Sequence, residues 1–147
     1  IGATWDNDIG FRGVCENVNI YTLQVLDLND NTPYYDEGYF ENDIDSIPAA
    51  INYTSSALIP YASPIRIINY SIQGEPTLQT EILLEIENFN GLFVACAGNE
   101  HINLDNYPLY PQSYNLDNLI VVGALGEDDN IVFWDEEIFT PKMIFSI

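Results

Sequence analysis

Two nearly uninterrupted apolar runs, LFVACA (residues 92–97) and LIVVGA (residues 119–124), constrain the fold of this chain more than any other feature. Each run has the length of a strand, and neither shows the alternation of apolar and polar residues that marks a strand with one wet face. Continuous apolar strands are typical of parallel sheets that are covered on both faces. Parallel strands need crossover connections, usually helices, so these runs predict an α/β fold.

The segments before the first run complete an alternating pattern of strands and helices. PTLQTEILLEIENFNG (residues 76–91) has an apolar residue every three or four positions, which predicts an amphipathic helix. IRIINYSI (residues 65–72) predicts a strand before that helix. Further predicted elements are strands at residues 18–26 and 131–134, and a helix. The helical pattern has Ile44, Ile47 and Ile51 on one face, with Ser46 as the cap and Pro48 in the first turn.

Length and charge restrict the class of protein and its partners. The chain has 147 residues, 47% of them hydrophobic, which suits one packed domain. Only 3 basic residues face 23 acidic ones, and the net charge is −20. Nucleic acid and anionic membrane surfaces are therefore not expected as partners, because phosphate groups are bound by clustered lysine and arginine. The charge serves solubility, or it attracts cations and basic peptides.

The sequence predicts neither a membrane anchor nor a cysteine-based site. No apolar run approaches the roughly 20 residues of a membrane-spanning helix, and the first ten residues lack the basic start of a signal peptide. The two cysteines, Cys15 and Cys96, have no metal-binding spacing and do not make a disulfide framework. The cysteines therefore do not indicate whether the protein works in an oxidising or in a reducing compartment.

Polar residues follow two of the predicted strands, at the edge where parallel α/β sheets bind ligands. SIQG (residues 71–74) ends one strand, and GNE (residues 98–100) follows the first apolar run. On local grounds alone, Asn99 is a turn residue that tolerates a left-handed backbone. On the same grounds Cys96 is a small buried residue and Glu100 is a solvated turn carboxylate.

The order of several motifs resembles the subtilisin-like serine peptidases, or subtilases. INYSIQG (residues 68–74) is similar to the family pattern I-N-x-S-x-G-G, and VACAGNE (residues 94–100) is similar to V-x-A-A-G-N. YPQSYNLDNLIVVGA (residues 110–124), DNIVFW (residues 129–134) and the opening segment follow in the family order. The resemblance implies a three-layer, doubly wound, mostly parallel sheet of the subtilisin type, incomplete at both ends.

A subtilase uses a catalytic triad that runs Asp, His, Ser along the chain. The resemblance places the family's histidine motif before residue 1 and its serine motif after residue 147, so residues 1–147 are expected to be a partial peptidase domain. The complete domain is expected to be a serine endopeptidase, and this chain alone is expected to be inactive. The alternatives are an inactive homologue that acts as a peptide-binding module, and a non-functional fragment. His101, the only histidine, is expected to be a loop residue.

Asn99 aligns with the asparagine that forms the oxyanion hole of this family. A fixed amide donor there stabilises the negative charge that develops on the carbonyl oxygen during acyl transfer. Glu100 would accommodate lysine or arginine side chains of a substrate, and Gln73 stands where the family usually has glycine. The substrate-binding residues that the resemblance implies are Ser71, Ile72, Gln73, Gly74, Ala97, Gly98 and Glu100.

The resemblance also fixes the expected partners and cofactors. The partner is a peptide or protein substrate, and the chemistry requires no cofactor. Asp6, Asn7 and Asp8 lie where many subtilases bind calcium, which prefers oxygen ligands. Calcium is therefore an expectation for the intact domain rather than for this chain. A secreted or endomembrane location is implied by the family alone.

Overall fold

A computed structural model describes residues 1–23, 25, 46–55, 64–72, 74–99, 102–125 and 144–146, the last three by their backbone. The chain divides into two compact units, Ile1–Asn42 and Asp43–Ile147. That residues 1–147 form a single partial domain remains a prediction. The predicted strand at residues 131–134 lies outside the described residues, as do residues 27–43.

The second unit contains a small sheet whose first three strands are parallel. These strands are β1 (Ile67–Tyr70), β2 (Leu92–Cys96) and β3 (Leu119–Leu125), and they lie in the order β1-β2-β3-β4. The fourth strand, β4 (Ile144–Ser146), pairs antiparallel with β3. The parallel core that the apolar runs predict is therefore confirmed, and an antiparallel strand is added to it.

Two helices accompany the sheet. They are α1 (Ser46–Ser55) and α2 (Thr80–Asn88), and α2 forms the crossover between β1 and β2. The helix α1 begins at Ser46 itself, with Pro48 in its first turn as predicted, where a missing N–H costs no helical hydrogen bond. The two helices contact one another, and the Asn52 side chain of α1 donates to the Glu85 carboxylate of α2 at 3.2 Å.

Buried apolar side chains follow the periodicity of each element. The core residues of the helices recur every four positions, and those of β2 recur every second position. They are Ile47 and Ile51 in α1, Ile82 and Ile86 in α2, and Phe93 and Ala95 in β2. The other residues of β2 are only half-buried, so the cover on both faces that the sequence predicts is not found in the described part of the sheet.

Several predicted boundaries are wrong by a few residues. The helix predicted at residues 76–91 spans only Thr80–Asn88, and Leu78, assigned to its apolar stripe, precedes the helix and is 51% exposed. Residues 18–23, predicted as a strand, have no regular secondary structure. The prediction rested on the β-branched and apolar composition of this segment, and no partner strand is paired with it among the described residues. None of the described helices is long and apolar enough to cross a membrane.

Candidate functional site at the carboxyl ends of β1 and β2

The register of the sheet brings the two polar segments together. Tyr70, the last residue of β1, is paired with Ala95 of β2, and both strands run in the same direction. Ser71 and Ile72 therefore lie beside Cys96 and the residues after it. The Cys96 thiol donates to the Ile72 carbonyl with an Sγ to oxygen distance of 3.5 Å. The sequence predicts that both segments follow strands at the same edge of the sheet, and the structure places the segment after β1 beside the end of β2.

The segment after β2 ends in an exposed asparagine amide. The Ala97 N–H donates to the Val122 carbonyl of β3 at 2.9 Å, which fixes the start of the segment to the sheet. Gly98 then adopts a φ of +91°, a backbone conformation that glycine reaches without a Cβ penalty. Asn99 is exposed, and its side chain makes no hydrogen bond to any residue that the structure describes. Its amide hydrogens are available to a ligand at the strand end.

The segment after β1 is held in place by hydrogen bonds from side chains on its inner side. The Ile72 carbonyl also accepts a hydrogen bond from the Gln112 side-chain amide, with an Nε2 to oxygen distance of 3.0 Å. Gly74 is buried, while Ser71 is exposed and accepts a hydrogen bond from the Asn69 side chain at 2.9 Å. Of the other predicted site residues, Gln73 and Glu100 lie outside the described residues, as does His101.

Sequence reasoning missed the turn that supports the segment after β1. Residues 110–114 contain a cis Tyr110–Pro111 bond, and the backbones of Tyr110 and Glu75 exchange two hydrogen bonds of 2.8 and 3.0 Å. The Tyr114 hydroxyl donates to the Gln79 carbonyl at 2.7 Å, just before α2. The motif YPQSY marked this turn in the sequence, but nothing in the motif indicates which strand it contacts.

The phenol of Tyr70 lies beneath the site in an apolar setting. Its ring centroid is 5.6 Å from that of Phe93, and only 8% of the residue is exposed. Burial, with smaller contributions from the negative charges of Cys96 and Glu75, raises the pKa of Tyr70 to about 12. Burial also raises the pKa of Tyr114. Both phenols therefore stay neutral near pH 7 and provide no base.

The calcium candidates Asp6, Asn7 and Asp8 lie in the first unit, and two of them, Asp6 and Asn7, contact other residues. The Asp6 carboxylate forms an ion pair with Arg12, whose guanidinium carbon lies 5.8 Å from the centre of the Trp5 ring. The Asn7 side-chain oxygen accepts a hydrogen bond from the Ile9 N–H at 3.1 Å. Within the described residues no group of three or more His, Cys, Asp or Glu side chains is placed to bind a metal. Because calcium needs six or more oxygens, the loop in this arrangement fits that ion poorly.

A shallow cleft lies elsewhere on the second unit. Its lining includes Glu87, Phe89 and the residues just before β3. In a parallel sheet the amino end of β3 is the edge opposite to the one that carries Asn99. This cleft is therefore separate from the predicted site, and its two acidic side chains, Glu87 and Asp117, give it no catalytic arrangement of its own.

The arrangement as a whole can do two things chemically. An extended chain could pair with the exposed backbone beside β1, because strand addition uses main-chain hydrogen bonds. An oxygen that becomes negative next to the end of β2 could accept a hydrogen bond from the Asn99 amide. The chain from residue 1 to residue 137 matches the family model of peptidase S8, the subtilase family. This chain therefore belongs to the subtilase family of serine peptidases.

Proposed function

We propose that this chain supplies the oxyanion donor and the substrate-binding strand of a serine endopeptidase domain, while the triad residues come from outside residues 1–147. The observation that carries the proposal is the exposed Asn99 amide after the positive-φ Gly98 at the carboxyl end of β2, which has no hydrogen-bond partner among the described residues. The membership of the chain in a serine peptidase family supports the same role. No residue of this chain is assigned the role of nucleophile or base.

The proposed chemistry gives Asn99 a role in one step. When a serine attacks the scissile carbonyl, negative charge builds on its oxygen, and an amide donor already in place stabilises that charge without reorganisation. In subtilisin, removal of the corresponding donor raises the activation free energy by about 2.7–4 kcal/mol, a value measured on subtilisin. Gly98 contributes by leaving open space, since no atom lies within 4 Å of the position that a Cβ would occupy.

The proposed substrate is an extended peptide. It would pair with the outward backbone groups of Ser71 and Gln73, with Gly74 packed behind them, and one of its side chains would lie against Ala97 and Gly98. Glu100 would favour a lysine or arginine side chain there. The net charge of −20 would attract basic peptides in the same way. No cofactor is required for this chemistry.

The proposed fold of the complete domain is a three-layer, doubly wound sheet. The three described parallel strands and the α2 crossover support this architecture. The exposed Ile67 of β1 supports it as well, because an exposed apolar side chain on a sheet face suits a covering layer formed by residues outside the described part.

The test is binding of a blocked alternating Ala-Lys octapeptide to the purified chain. Calorimetry at about 0.15 M salt limits non-specific attraction, because the Debye length is then about 8 Å. The control peptide has the same charges but carries N-methyl groups on alternate amides, so that it cannot pair as a strand. We expect the unmodified peptide to bind at least about tenfold more tightly. Equal affinity of the two peptides would show attraction by charge alone and would contradict the proposed cleft.

A further inference from the structure

Gln112 is a buried polar residue that the proposed function does not yet use. Only 5% of its surface is exposed, and its side-chain nitrogen donates to the Ile72 carbonyl at 3.0 Å. Its side-chain oxygen has no hydrogen-bond partner among the described residues. A buried amide with one unmet hydrogen bond is costly. Packing alone therefore does not explain why a glutamine is buried at this position.

The register of the sheet shows what this hydrogen bond replaces. The Leu92 N–H donates to the Arg66 carbonyl at 2.8 Å, and in a parallel pair every second residue of a strand faces the same neighbour. Arg66, Ile68, Tyr70 and Ile72 therefore direct their backbone groups toward β2. The next bond of this ladder would join the Gly98 N–H to the Ile72 carbonyl. That bond is absent from the described contacts, and the Gln112 amide donates in its place.

The same alternation determines which groups remain for a peptide. If Ile72 faces β2, the backbone groups of Ser71 face the opposite direction, away from the sheet. No described strand lies on that side, because β1 is the outer strand of the order β1-β2-β3-β4. The backbone of Ser71 is therefore the part of this segment that an added strand can reach.

A second set of contacts holds the same segment further along. The backbones of Glu75 and Tyr110 exchange two hydrogen bonds, which ties the end of the segment to the turn that carries Gln112. Gly74 lies between these anchors, where a Cβ would overlap the Gln112 side-chain oxygen and approach the Tyr110 carbonyl oxygen to 2.6 Å. The segment is thus fixed on its inner side at Ile72 and at Glu75.

We propose that Gln112 is a positioning residue of the peptide-binding strand. Its amide extends the β1–β2 ladder by one hydrogen bond, holds the Ile72 carbonyl on the inner side, and leaves the outward backbone of Ser71 in place for a substrate. This inference rests on the proposed function, because it assigns Gln112 a role in peptide binding. Gln112 touches neither the substrate nor the reacting atoms.

The experiment compares Gln112→Met and Gln112→Glu with the unaltered chain, using the same blocked Ala-Lys octapeptide. Gln112→Met keeps the volume and removes the donor, so it is expected to weaken binding about tenfold at every pH. The carboxyl introduced by Gln112→Glu can donate to the Ile72 carbonyl only while it is protonated. Burial beside a carbonyl oxygen raises its pKa above the usual value of about 4.3, so its affinity is expected to match the unaltered chain at acid pH and to fall about tenfold above that pKa.

Other titratable groups near this position are Glu75, Cys96, Tyr110 and Tyr114. The unaltered chain measured at each pH corrects for any effect of these groups on binding. The matched control is Gln79→Met, because Gln79 precedes α2 and its side chain makes no capping hydrogen bond. This control is expected to bind the peptide like the unaltered chain.

Hydrogen exchange at single amides provides a second readout. In Gln112→Met the amides of residues 71–75 should exchange faster, while those of α2 and β3 keep their rates, which separates local positioning from global unfolding. If both Gln112 variants bind and exchange like the unaltered chain, the positioning role is wrong while the proposed function stands. If the unaltered chain does not distinguish the peptide from its N-methylated control, the proposed function fails and this inference fails with it.

Discussion

At the scale of single residues, Asn118 joins the end of α2 to the start of β3. Its side-chain nitrogen donates to the Ile86 carbonyl at 2.6 Å and to the Phe89 carbonyl at 3.1 Å. Ile86 lies in the last turn of α2 and Phe89 is the residue that follows it, where helical partners of the carbonyls are missing. Asn118 therefore acts as a C-terminal cap that reaches the helix from a distant part of the sequence.

We predict that Asn118→Ala lowers the free energy of unfolding by about 1–3 kcal/mol, because the Ile86 and Phe89 carbonyl groups each lose one of two donors. Urea denaturation followed by circular dichroism measures the change. The control is Asn115→Ala, since Asn115 is exposed and makes no hydrogen bond within the described residues. An equal effect of the two substitutions would contradict the capping role.

Tyr70 connects the buried core to the pH dependence of stability. Its folded pKa of about 12 lies above the ordinary value of 10.0, so the folded state favours the neutral phenol. The stabilisation is complete below pH 10 and is lost as the pH rises through 12, because the unfolded chain ionises first. We predict a fall in the free energy of unfolding of roughly 1.4 kcal/mol per pH unit between these values.

The measurement is the difference in unfolding free energy between the unaltered chain and Tyr70→Phe, taken at several alkaline pH values. The difference should shrink as the pH rises, because phenylalanine has no proton to lose. Contributions from the other tyrosines cancel in this comparison. A difference that does not depend on pH would show that the Tyr70 phenol is as easily ionised in the folded chain as in the unfolded one.

At the scale of elements, two glycines at neighbouring strand ends have different physical roles. Gly74 lacks room for a Cβ, because the Tyr110 carbonyl oxygen would lie 2.6 Å away. Gly98 has open space around that position but a φ of +91°. Gly74 is thus required by packing, and Gly98 is required by backbone conformation.

We predict that Gly98→Ala costs roughly 1–2 kcal/mol of unfolding free energy from strain alone. Gly74→Ala should cost more, because the backbone pairing of Glu75 with Tyr110 must shift. Thermal unfolding of both variants tests the order of the two effects. Peptide binding should be lost in Gly74→Ala at temperatures where it is still folded. The reverse order of stabilities would contradict the close approach at Gly74.

The sequence predicts the helices and strands better than the segments that connect them. The apolar runs at residues 92–97 and 119–124 indicate two central parallel strands, because only buried strands tolerate so few polar residues. The crossover helix α2 is also predicted, with Ile82 and Ile86 on its buried face. Its ends are not, since Leu78 continues the apolar spacing outside the helical backbone.

The candidate site is predicted only where a motif marks it. The resemblance identifies Asn99 and residues 71–74, and the register of β1 and β2 brings their neighbourhoods together. The contact between Gln112 and Ile72 could not be predicted, because it joins side chain and backbone across 40 positions in the sequence. Long-range contacts of this kind depend on the path of the turn at residues 110–114, which a single sequence does not encode in any periodic pattern.

At the scale of the whole molecule, the charge distribution affects stability more than any single ion pair does. The net charge is −20 over 147 residues, so like charges repel one another in the folded state more than in the expanded chain. We predict that the free energy of unfolding rises as sodium chloride is raised from about 0.01 to about 0.5 M, where the Debye length shortens severalfold. Urea denaturation at each salt concentration measures this. A stability that falls with added salt would show that attractive ion pairs dominate instead.

The central claim is that Asn99 donates to an oxyanion during peptide hydrolysis. The direct measurement joins residues 1–137 to the triad-bearing parts of an active subtilase and compares kcat and KM with and without Asn99→Ala, using Asn106→Ala as the control. We expect a fall in kcat of about 10²–10³, the size known for subtilisin, with little change in KM. Asn106→Ala should leave both constants unchanged. A hydrolysing chimaera whose kcat does not respond to Asn99→Ala would contradict the oxyanion role.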